Sequence, residues 1–198
     1  MENREHTLIC VLGRTASGKD SLVNKVCERT GFNQLISYTT RERRENEGDT
    51  HIFISEEDFE AMSKEGQIAA FTQIGEYKYF CTFDQLYEAD FYIIDPAGLD
   101  FLKSLEIPNL KIVSVYIHIP DDIREKRALE LRKDDRAKFR ARNFNEREQF
   151  RNFEKNVDYD YSIKNIDLPK AYSVLRWICD VEGVFKNHME DKTDDDRM

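Results

Sequence analysis

Apolar positions follow two rhythms along this chain. Nearly continuous, β-rich runs at 7–12, 90–95 and 111–119 have the pattern of strands buried on both faces of a sheet. Between them, helical segments are predicted over about 19–30, 97–105, 121–132, 135–155 and 169–186. Strands alternating with helices predict a parallel sheet covered by helices on both faces. From 37 to 82 the rhythm changes. Short β-like pieces near 51–54, 67–74 and 77–81 flank one helix over 56–65, with Ser55 and Asp58 as its capping pattern and Gly66 as its stop. That stretch predicts a small mixed insertion on the main sheet. Trp177 lies in an apolar helix pattern with Tyr172, Val174, Leu175, Ile178 and Val181 and is expected in the core, as are Phe150 and Phe153.

The first strand runs into Gly13-Arg14-Thr15-Ala16-Ser17-Gly18-Lys19, and a helix follows. Glycines let the backbone turn tightly, so that successive N–H groups point inward at phosphate oxygens. The helix adds the positive end of its dipole and Lys19 a full charge. This is a P-loop arrangement. The residue after the lysine is usually Ser or Thr, whose hydroxyl holds Mg²⁺. Here it is Asp20, and the hydroxyl comes next, at Ser21. Magnesium takes hard oxygen ligands, so both are candidate ligands. The plainer reading of Asp20 is a favourable first-turn acid.

Length and composition fit one compact domain: 198 residues, 40% hydrophobic and 35% charged. A formal charge of −9 argues against a nucleic-acid surface as partner. No run has the length of a membrane-spanning helix and the first residues lack a signal peptide's apolar region, so a cytoplasmic location is expected. Cys10, Cys27, Cys81 and Cys179 stand far apart, as reduced, packed thiols do. Residues 124–151 carry eight Arg and three Lys against six acids, a local +5 that leaves −14 on the rest. Taken alone this is a solvated, salt-bridged helix pair. Beside a P-loop it becomes a candidate phosphate clamp.

A second motif, Ser37-Tyr38-Thr39-Thr40-Arg41-Glu42-Arg43-Arg44-Glu45-Asn46-Glu47, sets arginines three apart, suited to forked bonds with one phosphate. P-loop, then Ser-x-Thr-Thr-Arg-x-x-Arg-x-x-Glu, resembles the guanylate kinase family. Asp95-Pro96-Ala97-Gly98, the lid spacing of Arg127 and Arg142, and Asp160-Tyr161-Ser162-Ile163-Lys164-Asn165 extend the likeness over about 6–185.

The resemblance implies a three-layer α/β P-loop kinase fold with a parallel core sheet. It divides residues 1–187 into a core (1–36, 83–123, 157–187), a mixed acceptor-binding insertion (37–82) and a helical lid (124–156). Residues 188–198 are read as a disordered acidic tail. The implied activity is ATP-dependent phosphoryl transfer, with Mg²⁺, to a nucleoside monophosphate, GMP or dGMP first. The partner is thus a small nucleotide, with no nucleic acid or membrane, and the protein a monomer or homodimer. Carried across, Gly13, Thr15, Ala16, Ser17, Gly18, Lys19, Asp20, Ser21 and Asn165 would hold ATP. Ser37, Arg41, Arg44, Glu47, His51, Tyr79 and Asp95 would hold the acceptor. Lys19, Arg127, Arg142 and Arg132 would act on the transferring group.

The pattern also departs from the family. Counting back from Tyr79, the family's guanine-reading glutamate falls on Ala70, a family tyrosine becomes His51, and Tyr-Gly becomes Tyr79-Phe80. Gly-Lys-Asp-Ser, His51-Ile52 and the missing glutamate also resemble ribose 1,5-bisphosphate phosphokinase, a relative that phosphorylates a sugar phosphate. A third alternative is a non-catalytic, phosphopeptide-binding module of this family. Asp95 has a plain reading as a helix cap, and His118 as a hydrogen-bonded packing residue.

Overall fold

A computed structural model describes residues 5–43, 48 and 50–185. Arg44, Glu47 and the tail 188–198 lie outside the described residues.

The core sheet has the order β2-β7-β1-β8-β9, and every pairing is parallel. Its strands are β1 (His6–Leu12), β2 (Gln34–Leu35), β7 (Phe91–Ile93), β8 (Leu110–His118) and β9 (Tyr161–Lys164). β1 is central, pairing with β8 along its whole length. Its side chains alternate: Leu8, Cys10 and Leu12 face one way, Ile9 and Val11 the other, all 0% exposed. Such a strand reads as an unbroken apolar run because neither face sees water.

Two cores follow from that alternation. On one face, Leu22, Val23 and Val26 of α1 (Lys19–Thr30) pack with Ala171, Leu175, Ile178 and Cys179 of α7 (Leu168–Val181). On the other, Leu86 of α3 (Phe83–Glu88) and Leu99 and Leu102 of α4 (Pro96–Ser104) meet Phe150 and Phe153 of α6 (Arg136–Asn156). Full burial of each such side chain stabilises by about 1.5–3 kcal/mol. The result is a three-layer α/β fold.

A second sheet, β4-β3-β6-β5, comprises β3 (Tyr38–Thr39), β4 (Ile52–Phe53), β5 (Ile68–Ile74) and β6 (Tyr77–Thr82). It carries α2 (Glu56–Lys64), whose start is the expected capping box of Ser55 and Asp58. Gly75, at φ 63°, turns β5 into β6.

Three expectations change. Trp177 is 55% exposed, with Val174 and Val181 also open. The buried stripe of α7 runs through 171, 175, 178 and 179, and one residue of offset turns Trp177 about 100° away from it. The segment read as one helix over 121–132 is α5 (Asp121–Lys126) followed by a π-helical turn, Arg127–Leu131. α3 and β2 had no counterpart in the apolar pattern, being too short to show a period.

Candidate active site

β1 ends at the loop and α1 starts at Lys19, so strand and helix hold the loop from both sides. Ser17 N–H donates to the Arg14 carbonyl at 3.1 Å, and the chain turns through left-handed Ala16 (φ 59°) and Gly18 (φ 82°). Both glycines are sterically required. A Cβ on Gly13 would lie 2.7 Å from the Ile117 carbonyl oxygen and from Ser17 Oγ. One on Gly18 would lie 2.7 Å from Asn165 Nδ2. That amide nitrogen donates to the Ser17 carbonyl at 2.9 Å and braces the loop from β9's end.

Four side chains from residues 124–146 converge on Thr15. Its hydroxyl accepts from Arg132 Nη1 at 3.5 Å and Arg142 Nη1 at 3.4 Å. Its carbonyl accepts from the buried Arg124 at 3.2 Å, and its N–H donates to Glu146 at 2.8 Å. Arg14 pairs with Glu154, which also accepts from Tyr116, tying the far end of α6 to the loop.

Two of the clefts beside the loop are lined by its glycines. One, of about 640 Å³, is lined by Ala16, Gly18, Asp20, Ser21, Arg127, Leu131, Asn165 and Leu168 among others. The other, of about 280 Å³, brings Gly13, Lys19 and Asp20 together with Ser37, His51, Tyr79 and Asp95. Asp20 lines both. A cation-rich loop between two clefts suits a donor on one side and an acceptor on the other.

The second cleft is built from both sheets. Asp95, at the end of β7, caps α4 by accepting from Ala97 N at 2.9 Å and Gly98 N at 3.1 Å. The plain capping reading is therefore correct in geometry, and the same carboxyl also faces the cleft. Thr72 on β5 donates to it at 3.2 Å. Ser37 Oγ and His51 Nδ1 are 3.0 Å apart, and His51 meets the Tyr79 ring edge-on.

The guanylate kinase family model matches residues 5–181 of the chain. The chain belongs to the guanylate kinase family. Guanylate kinases of Malacoplasma penetrans and Syntrophotalea carbinolica are each 29% identical to it, over 89% and 91% of this chain and 94% and 88% of theirs. A crystal structure of guanylate kinase from Anaplasma phagocytophilum superposes with a TM-score of 0.63 at 20% identity, covering 90% of this chain and 86% of that one. The fold is accordingly that of a P-loop kinase, and the enzyme class is nucleoside monophosphate kinase.

Against the family's pattern, several residues stand elsewhere than the motif suggests. Ala70 is 1% exposed and packs in the core opposite Cys81. Thr72, two residues on, faces the cleft from the same strand. Ala70 and Thr72 are two apart on β5, past the irregularity between Ile68 and Ala70, and so share a face of the strand; of the two, Thr72 lines the cleft. Arg127, expected over the transferring group, donates instead to the carbonyls of Ser17 (3.3 Å), Asn165 (2.8 Å) and Ile166 (3.2 Å). Arg132 and Arg142 are the two arginines that donate to the Thr15 hydroxyl. Arg41 is buried at 7% exposure, donates to the Glu42 carbonyl at 2.7 Å and lies over the Phe53 ring. It is not among the described residues lining either cleft.

The donor fit rests on Asn165. Its Oδ1 is buried and without a partner among the described residues, on the wall of the larger cleft beside Leu131 and Leu168. An acceptor atom framed by apolar side chains complements the amino edge of adenine. The metal fit is looser. Asp20 is 68% exposed and 3.4 Å from Lys19 Nζ, and no cluster of three His, Cys, Asp or Glu occurs among the described residues. Asp20 and Ser21 offer two hard oxygens beside the loop, and Mg²⁺ binds through one or two protein oxygens plus substrate phosphates and water.

Motif reading missed Glu146, Thr72 and Arg124. Arg124 and Glu146 were two charges in a charged segment, and strand alternation alone pointed to Thr72. The four cysteines are free, with Cys10, Cys81 and Cys179 buried, and burial pushes the last two to about 12. Among the described residues no helix is long and apolar enough to cross a membrane.

Proposed function

We propose that the chain transfers the terminal phosphoryl group of ATP to GMP or dGMP, giving GDP or dGDP. The observation that carries this reading is the shared cleft: Lys19 of the phosphate loop lines the same cavity as Ser37, Thr72, Tyr79 and Asp95. Backbone N–H groups from Thr15 to Ser21, with Gly13 and Gly18 giving them room, would cradle the donor's phosphates. Asn165 would take the adenine edge. Arg132 and Arg142 would stand over the transferring group, with Arg127 holding the loop in shape. Mg²⁺ held near Asp20 and Ser21 would supply a Lewis acid for the phosphate oxygens.

An oxygen of the acceptor's phosphate forms the new bond to the γ-phosphorus as the bond to the bridging oxygen breaks, and ADP leaves. Charge spreads over the peripheral oxygens in this transition state, so positioning and cations do most of the work. A phosphate nucleophile is already ionised at neutral pH, and no general base is required. Lid arginines drawn onto Thr15 would also keep water from the γ-phosphate.

Guanine presents N1–H and the 2-amino group as adjacent donors. Thr72 spends its proton on Asp95 and keeps lone pairs to accept, and the second Asp95 oxygen is a further acceptor. This pair supplies what the absent glutamate would. Ser37, Arg41, Arg44, Glu47, His51 and Tyr79 would bind the acceptor's ribose phosphate or order the loop around it.

His51, paired with Ser37, favours a second reading, a sugar-phosphate acceptor. A panel with ATP and Mg²⁺ separates the cases: GMP, dGMP, AMP, CMP, UMP and ribose 1,5-bisphosphate. The highest kcat/KM is expected for GMP or dGMP. Preference for the sugar phosphate or AMP refutes the guanine reading, and no turnover with any acceptor favours a binding module.

A further inference from the structure

α6 brings a carboxylate, Glu146, to the loop at Thr15, among Arg124, Arg142 and Lys19. Glu146 stands one turn after Arg142, its side chain 17% exposed, with Arg124 Nη1 3.8 Å from Oε2. The same oxygen accepts the Thr15 N–H at 2.8 Å. Burial pushes this carboxyl above its usual range, while the Thr15 amide, Lys19, Arg124 and Arg142 each favour its charged form. Glu146 also lines the acceptor-side cleft with Lys19 and Gln149.

The chemistry of that contact is distinctive. N–H groups of a P-loop turn are arranged for phosphate oxygens. Glu146 presents the same thing, an anionic oxygen at hydrogen-bond distance from a loop N–H, ringed by guanidinium and ammonium groups. Satisfying the Thr15 amide needs only a neutral acceptor. What the carboxylate adds is charge.

We propose that Glu146 is an internal counter-anion of the phosphate cradle, holding the Thr15 N–H in place of a phosphoryl oxygen until a polyphosphate displaces it. The inference rests on the P-loop reading under Proposed function. Its consequence is selectivity. A bare phosphate compound must displace Glu146 with nothing else to offer, whereas ATP brings contacts from its base and ribose to offset the displacement.

Glu146→Gln isolates the charge, because the amide oxygen still accepts from Thr15 and the volume is nearly unchanged. The probe is inorganic pyrophosphate, titrated calorimetrically at low salt into both proteins. Two unit charges about 4 Å apart repel enough, even with the screening of bulk water, to change affinity about fivefold. The expected result is pyrophosphate binding at least about fivefold tighter in the variant, with a lower KM for ATP. Equal or weaker binding by the variant overturns the proposal while leaving the P-loop reading standing. No binding of pyrophosphate or ATP by either protein overturns both. Should the glutamine variant lack a cooperative thermal transition, Glu146→Asp decides the matter. Its carboxylate is withdrawn from Thr15 by one methylene, so tighter pyrophosphate binding supports the proposal and unchanged or weaker binding overturns it.

Discussion

Thr72→Val is the most informative change in the cleft proposed to hold the acceptor. Valine keeps the shape of threonine and the β-propensity of a strand position, and removes only the hydroxyl. Two things are lost with it: the 3.2 Å bond to Asp95 and the lone pairs that face the cleft. Asp95 keeps the N–H groups of Ala97 and Gly98, so the cap survives and the loss of stability should stay near 1 kcal/mol. For the acceptor, a hydrogen bond in a network with a carboxylate is worth about 1.5–3 kcal/mol. At 1.4 kcal/mol per factor of ten, kcat/KM for GMP should fall about tenfold or more. The GMP-to-AMP ratio should drop with it, and the KM for ATP should not move. Steady-state kinetics with both acceptors, beside a melting curve, reads all three. A folded variant with an unchanged GMP-to-AMP ratio refutes the assignment of Thr72 to the base. Ala70→Ser is the matching control. Residue 70 is in the core, so serine there should cost about 1–3 kcal/mol of stability and leave the ratio alone.

Gly13→Ala should destabilise by about 1–3 kcal/mol and weaken ATP binding, because its Cβ meets the Ile117 carbonyl at 2.7 Å and β8 is pinned along the whole of β1. Denaturant unfolding and the KM for ATP check this, and a variant matching the parent in both would remove the steric argument. Asp121 accepts from Arg124 at 2.7 Å and Arg147 at 2.6 Å. Burial opposes its charge, yet the two guanidinium groups hold its carboxyl at about 2, below the ordinary 3.8. A depressed carboxyl contributes stability that is complete above its ordinary value and is lost as pH falls through the folded one. The stability gap between the parent and Asp121→Asn should therefore be constant from pH 7 to 5 and close between about pH 4 and 2. A gap that holds at pH 2 rules the ion pairs out as its source.

Much of the architecture could be read from the chain because it rests on local rules. The unbroken apolar run of β1 announces a strand without a wet face, and the spacing from Gly13 to Lys19 encodes a turn that backbone sterics alone select. Ser55 and Asp58 cap α2 within four residues of one another. Short elements escaped for the same reason: α3 has one buried side chain, Leu86, and β2 only two residues, too few to show a period. Trp177 misled because its apolar neighbours in sequence belong to a different face of α7 from the buried stripe.

By itself, then, the sequence determined a phosphate loop, a parallel sheet with helices on both sides and membership of one kinase family. Only the tertiary structure decided which side chains share a site. Glu146 reaches Thr15 across 131 residues, Arg142 reaches it across 127, and Thr72 meets Asp95 across 23. On one face of β5, Ala70 went into the core while Thr72 reached the cleft, and three backbone carbonyls engaged Arg127. Backbone preference is set within a few neighbours, whereas a binding site is set by packing between elements far apart in the chain, where a single step of register chooses the residue that faces the ligand.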